Sequence, residues 1–199
     1  MSTSPIHSHI SQHHLGKRGA SAPDKIRLVP PTEVSAAAAL EFRQEFLNAG
    51  ESVINGSSLL DQTPAYADWL AHAQAQADPA TVPPGWVRTE VFFAVREADA
   101  RIVGIIDLRH ELNDFLRDFG HCGFSVRPSE RQRGYATAML QQLCAHARAC
   151  GMPQLQLSAE VDNTPSLRTI AKAGGRPLRR FQHEGREAVV HLLPLSPTL

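Results

Sequence analysis

The chain has 199 residues, 42% of them hydrophobic and 20% charged, which is enough for one domain with a real core and short for two. Twenty basic residues balance twenty acidic ones, so no overall field draws the protein to nucleic acid or an anionic membrane, and any anion specificity is local. No apolar run approaches the roughly 20 residues of a membrane span, and the N-terminus lacks the apolar core of a secretory signal. Cys122, Cys144 and Cys150 are odd in number and form no CxxC pair. That predicts neither a disulfide framework nor a structural metal site, and it favours a reducing cytoplasm.

Residues 1–23 are polar and Ser-rich and carry His7, His9, His13 and His14. They read as a disordered leader without defined metal geometry, followed by a single domain over 24–199. Within it, "KIRLV" alternates and stops at Pro30-Pro31, which predicts a first strand. "TEVSAAAALEFRQEFLNAG" is a run of helix formers closed by Gly50. Thr63-Pro64 predicts a second helix start, with Thr63 as N-cap and the helix reaching about Gln76. "TEVFFAVR" and "RIVGIIDLR" flank "EADA" and predict an antiparallel hairpin. "HELNDFLRDFG" reads as a connection with one helical turn, and "HCGFSV" as the next strand. "RGYATAMLQQLCAHARACG" places Ala136, Met139, Leu140, Leu143, Cys144, Ala147 and Cys150 on one helical stripe. "QLQLSAE" is a strand, Thr164-Pro165 opens a short helix closed by Gly174, and "RPLRRFQ" with "REAVVHLL" forms a final hairpin. The order β-α-α-β-β-β-α-β-α-β-β describes an α+β domain with one central strand-helix-strand crossover, not a doubly wound sheet.

The crossover carries the chemistry. Arg127, Arg131 and Arg133 surround Gly134 where a strand gives way to a long helix. A helix N-terminus offers unpaired N–H groups and partial positive charge, Gly134 permits close approach to the main chain, and Ala136 keeps the first turn slim. Strand, Arg-x-x-Gly-x-Ala and helix together suit a diphosphate, with Arg131 and Arg133 at its rim. There is no GxxxxGK[ST], and no GxGxxG follows a strand. The same residues also suit a solvated helix start whose arginines face water.

With "VRPSERQRGYA" (Val126 to Ala136) and "NTPSLRTIAKAG" (Asn163 to Gly174), the sequence resembles the GNAT superfamily of acyl-CoA-dependent N-acyltransferases from about Lys25 to Leu193. "GIIDLRHELNDFL" and the segment around "GHCGFSV" resemble a bacterial branch of that superfamily. The resemblance implies a mixed, mostly antiparallel central sheet flanked by helices. It implies that "HCGFSV" parts from "QLQLSAE" at a β-bulge, so that a pantetheine arm pairs with Phe124 and Val126. The diphosphate of acetyl-CoA then lies on Arg131, Gln132, Arg133, Gly134, Tyr135 and Ala136, and Asn163 and Ser166 are further cofactor-binding residues.

Acetyl transfer to a primary amine of a small molecule, peptide or protein requires removal of a proton, and no metal. Asn163 reaches toward the pantetheine or the acceptor. His121 is the first candidate base, since it opens the cofactor-facing strand and titrates near neutrality; His110, Asp107 and Glu111 are others. Both histidines equally suit structural roles. Many relatives carry an acidic Tyr where this chain has Ile170, which leaves the general acid unassigned. The acceptor pocket is expected between Ser35 and Trp86, with Glu45, Glu51, Asp61, Tyr66, Trp69 and Trp86 as its polar and aromatic residues, although aromatics at such spacing commonly build core. The sequence also admits a GNAT-fold sensor that binds acyl-CoA without turnover, and a homodimer. A nucleic-acid-binding reading fails on the neutral charge and the absence of an aromatic-basic stripe.

Overall fold

The structure, a computed structural model, describes residues 24–195. The histidine-rich leader and its expected disorder lie outside the described residues. The domain is built on two sheets. In the first, β1 (Ile26–Val29), β2 (Thr89–Arg96), β3 (Ile102–Arg109) and β4 (Phe124–Val126) pair in that order. In the second, β7 (Arg186–Pro194) lies between β5 (Gln154–Glu160) and β6 (Arg176–His183). Every ladder is antiparallel.

The run "IVGIIDL" in β3 is apolar except for buried Asp107 because both of its faces are covered. Ile102 and Ile105 pack with Phe42, Phe46, Trp69 and Phe93 beneath α1 (Ala36–Asn48) and α2 (Tyr66–Ala77). Val103, Ile106 and Leu108 face the opposite layer, where α4 (Tyr135–Ala149) brings Met139, Leu140 and Leu143. Of the apolar stripe expected on α4, Met139, Leu140, Leu143, Cys144 and Ala147 are its core face, whereas Ala136 is half-buried at the N-terminus and Cys150 is exposed at the C-cap. The remaining helices are α3 (Leu116–Phe119) and α5 (Thr164–Lys172). No helix among the described residues is long and apolar enough to cross a membrane.

Three local expectations shift. The second helix begins at Tyr66 with Ala65 as N-cap, not at Thr63-Pro64, because the Thr63 hydroxyl and N–H both turn back to the Leu59 carbonyl at 2.9 Å. The strand expected over His121–Val126 is regular only over Phe124–Val126. Among the described residues, ladder irregularities fall at Ala94/Val95 and Pro177/Arg179, so β4 leaves β5 without a bulge of its own.

The two sheets touch where β4 approaches β5. Gly120 and Leu157 form an isolated bridge, and the His121 N–H donates to the Gln156 carbonyl at 2.7 Å. Beyond that pin, β4 pairs with β3 alone, and α4 carries the chain across to β5. A free strand edge and a helix N-terminus therefore open into the same gap.

Candidate active site

Pro128 ends β4, since it has no N–H to continue a ladder and its fixed φ starts a turn. Residues Pro128–Glu130 form a single 3₁₀ turn. Gln132 at φ 63° and Gly134 at φ 85° then take left-handed conformations, which turn the main chain sharply into α4. Gly134 is the N-cap of α4 and no side chain caps that helix. Its first-turn N–H groups therefore remain open. They face a cleft of about 960 Å³ lined by Gly134, Tyr135, Ala136 and Thr137 on this side.

The floor of the cleft is β4. The Gly123 carbonyl accepts from Asp107 at 3.1 Å and the Arg127 N–H donates to Val103 at 2.9 Å, so odd-numbered residues face β3. In an antiparallel ladder alternate residues turn their polar groups the other way. The main-chain groups of Phe124 and Val126 hence face the open side, where both residues line the cleft. The Val126 carbonyl accepts the Arg131 Nε at 3.2 Å, leaving its N–H.

The opposite wall comes from α5. Asn163 is its N-cap, and its Oδ1 accepts the Ser166 N–H at 3.2 Å. The Asn163 amide hydrogens and the Ser166 hydroxyl remain on the cleft side, where both residues are lining. Thr164, Arg168 and Lys172 line the same wall, and neither cation has a carboxylate partner among the described residues. They were not anticipated, although their i, i+4, i+8 spacing places them on one helical face.

The arginines of the turn behave differently from expectation. Arg131 lines the cleft, but its guanidinium forms a two-pronged pair with Glu51 at 2.6 and 2.7 Å and lies over the Phe46 ring. The Arg131 hydrogen bond in turn holds the Glu51 carboxyl below its usual range. Arg133 pairs with Glu130 at 3.0 Å and is not part of the lining. Arg127 is 1% exposed and bridges Glu41 and Glu45 at 2.8 and 3.2 Å. Tyr135 sends its side chain into the core, where its hydroxyl donates to Asp24 at 3.0 Å and accepts from Arg96 at 3.2 Å. It offers the cleft only main-chain groups.

His121 is a clip between the sheets. Its Nδ1 accepts the Gln156 N–H at 2.9 Å, so the neutral ring carries its proton on Nε2. Burial, followed by the neighbouring charges of Arg109 and His110, lowers its pKa to about 4. It lines neither the cleft nor the adjoining pocket. A ring with its lone pair engaged and so acidic a proton is poorly suited to act as a base, which corrects the expectation for His121. His110 is bound to Glu90 at 2.7 Å and is likewise outside both linings, while Glu111 is exposed. Ile170 is 1% exposed and belongs to the core.

A second pocket of about 450 Å³ meets the cleft at Val53 and Asn55. Asp61, Gln76, Trp86, Asp107, Arg109, Asn113 and Phe115 contribute to it. Asp107 accepts the Gly123 N–H at 2.5 Å and pairs with Arg109 at 3.0 Å, whereas Asp61, among the described residues, accepts only the Ser57 hydroxyl, at 2.7 Å. Its loop is tightly seated. Gly56 has φ 77° and lies against Gly123, where any Cβ collides with the Gly123 carbonyl. The following Ser58 and Leu59 hold positive φ of 48° and 71°, a local strain that tends to concentrate at functional loops. Of the expected acceptor residues, Asp61 and Trp86 line this pocket and Glu51 lines the cleft. Trp69 and Tyr66 are core, with the Trp69 Nε1 donating to Ser57 at 2.8 Å and the Tyr66 hydroxyl to Thr32 at 2.7 Å. Glu45 is structural, accepting the Ser129 N–H at 2.7 Å.

The overall fold is matched in known proteins. The fold is similar to YncA of Salmonella typhimurium with its cofactor acetyl-CoA, at TM-score 0.62 and 17% identity over 87% of this chain and 95% of that one. It is similar also to Mycobacterium smegmatis RimJ in complex with CoA-disulfide, at TM-score 0.64 and 20% identity, over 87% and 86% of the two chains. An N-acetyltransferase from Staphylococcus aureus Mu50 aligns with TM-score 0.62 at 14% identity, over 86% and 99%. No curated protein matches the chain in sequence. The family model for the acetyltransferase (GNAT) domain matches residues 25–176. The chain therefore belongs to the GNAT acetyltransferases, enzymes that take the acetyl group from acetyl-CoA.

Proposed function

We propose that the protein transfers the acetyl group of acetyl-CoA directly to a primary amine of a small molecule or peptide. The observation that carries this reading is the junction of the two cavities at Val53 and Asn55, one with diphosphate chemistry and one with an acidic, aromatic lining. The diphosphate is held by the open N–H groups from Gly134 to Thr137. The rim beside it is Arg168 and Lys172 more than Arg131 or Arg133, whose charges are already matched. Pantetheine runs along β4, pairing with Phe124 and Val126, and the Asn163 amide and Ser166 hydroxyl flank it. The Val126 N–H polarises the thioester carbonyl.

The amine enters from the second pocket, where the Asp61 carboxylate and the Trp86 and Phe115 rings suit a cation. Its nitrogen, once neutral, attacks the carbonyl carbon. The carbon–sulfur bond then breaks, the nitrogen loses a proton and coenzyme A leaves. A thiol of pKa about 8.5 is a tolerable leaving group near neutrality without a dedicated acid. Water carries the ammonium proton to solvent.

A second reading is favoured by one observation: Ile170 is sealed in the core where many relatives place an acidic Tyr. On that reading the protein binds acyl-CoA without turnover. Continuous thiol release from acetyl-CoA, measured against pooled amino acids, polyamines, aminoglycosides and peptides, separates the two. Release in one pool is the expected result and gives the acceptor class. Silence in every pool, with acetyl-CoA binding demonstrated by calorimetry, overturns the transferase reading in favour of the sensor.

A further inference from the structure

At the far end of α4 from Gly134, a second group of polar side chains converges. The helix has 15 residues, so its two ends are about 22 Å apart. His146 and Cys150, one helical turn apart, leave the C-terminal end, and the Cys150 Sγ is 3.8 Å from the His146 Nε2. Glu90 comes from β2 and His110 from just beyond β3. The Glu90 Oε2 receives both rings, His110 Nε2 at 2.7 Å and His146 Nε2 at 2.9 Å. Ligand atoms of Glu90, His110 and Cys150 all lie within 4.8 Å of one another.

We propose that Glu90, His110, His146 and Cys150 form a binding site for a divalent transition-metal ion, with zinc as the ion whose preferences they match. Two imidazoles, one carboxylate and one thiolate are the donors zinc takes in four-coordinate sites. Bonds of about 2.0–2.3 Å place tetrahedral ligand atoms roughly 3.3–3.6 Å apart. His146 stands outside that group of three although its Nε2 reaches both Glu90 and Cys150, so the site reaches tetrahedral geometry by swinging the two rings toward each other as the Glu90 oxygen draws back and Cys150 moves inward. Several features assist. The side chains of Glu90 and His110 are 21% and 14% exposed, so the ion is shielded yet reachable past exposed Cys150. The Phe92 ring holds His146 edge-on at 5.2 Å. The negative end of the α4 dipole favours a cation at this place. Arg88 stands 3.8 Å from the other Glu90 oxygen and directs Oε2 toward the rings. Binding ionises the Cys150 thiol, whose proton passes to solvent. The ion ties the end of α4 to the β2–β3 hairpin and has no part in acetyl transfer.

Cobalt(II) titration of the full-length reduced protein tests this, because cobalt replaces zinc and reports its ligands. The expected result is one equivalent bound, with intense four-coordinate d–d bands and a near-ultraviolet thiolate-to-cobalt charge-transfer band, all displaced by zinc. Cys150→Ser abolishes the charge-transfer band while the protein stays folded, since Cys150 is exposed. His110→Ala and Glu90→Gln weaken binding by at least the order of 10–100-fold that loss of even an outer partner costs. Absence of the charge-transfer band overturns the proposal, as does a band that survives Cys150→Ser and so belongs to Cys122 or Cys144. Weak d–d bands unaffected by His110→Ala assign the metal to the leader histidines and overturn it equally.

Discussion

Replacing Gly134 by Ala tests the cradle directly. Gly134 sits at φ 85°, ψ 2° as the N-cap of α4, a conformation that costs a residue with a Cβ about 1–2 kcal/mol. For a chain of this size each kcal/mol lowers Tm by about 2–4 °C, so a fall of roughly 2–8 °C is expected. Relief of the strain rotates the turn and withdraws N–H groups from the diphosphate. One lost hydrogen bond to a charged group is worth about 1.5–3 kcal/mol, which weakens acetyl-CoA binding roughly 10- to 150-fold. Calorimetric titration beside a thermal melt reads both quantities. Gly185→Ala is the control, because Gly185 has a similar φ of 78°, with nothing within 4 Å of an added Cβ, in the β6–β7 turn. It should lower Tm comparably and leave binding unchanged. A Gly134→Ala protein that melts lower yet binds acetyl-CoA within a factor of two of the parent refutes the claim that these N–H groups hold the diphosphate.

Arg168→Gln and Lys172→Met should each weaken acetyl-CoA binding about two- to fivefold at low salt, with little change at high salt and no change in Tm; equal affinity at low salt would remove α5 from the phosphate rim. The His121 pKa falls from 6.5 to about 4 on folding, so between those values the unfolded chain binds more protons. Its contribution is fully present above pH 6.5 and is lost as the pH drops toward 4. Melting curves should show a shallower acid-side fall in His121→Gln than in the parent, with a remainder from His191, whose pKa burial also lowers. The pH profile of turnover should keep its shape in that variant, and an altered profile would restore His121 to catalysis. Ile170→Ala should cost about 2–5 kcal/mol by opening a cavity, read as a lower denaturation midpoint, and a neutral result would contradict the core packing.

The sequence disclosed what repeats along the chain and hid what depends on ion pairing between distant segments. The β2–β3 hairpin, the α4 stripe and the Arg-x-x-Gly-x-Ala turn were legible because periodicity and a breaker-rich junction fix them locally. The fates of Arg127 and Arg131 were not, since Glu41, Glu45 and Glu51 lie some 80 positions away in sequence. The His121 clip depends on Gln156, and the isolation of Ile170 depends on where α5 meets α4 and β5. The second start at Thr63-Pro64 misled because a Thr-Pro pair signals a turn as readily as a helix, and here Leu59 captured the threonine. Glu90, His110, His146 and Cys150 carry no ligand spacing except the single i, i+4 pair on α4, so only the fold brings them together.

The pairing of the arginines changes how the anion site should be understood. A neutral chain with three arginines at a helix mouth suggests side-chain charge as the source of affinity. Here those arginines are spent on structure: Arg127 and Arg131 fasten α1 and the following loop to β4, and Arg133 closes on Glu130. On the proposed reading, anion binding then falls to the fixed dipoles of the α4 N-terminus, with Arg168 and Lys172 at the rim, and those dipoles need no side-chain ordering when the ligand arrives. The same clamps set the mouth of the acceptor pocket, because Glu51 begins the loop that carries Val53 and Asn55 over the cleft and presses Gly56 onto Gly123. The arginines therefore act on donor and acceptor together, holding the loop of one cavity against the strand of the other.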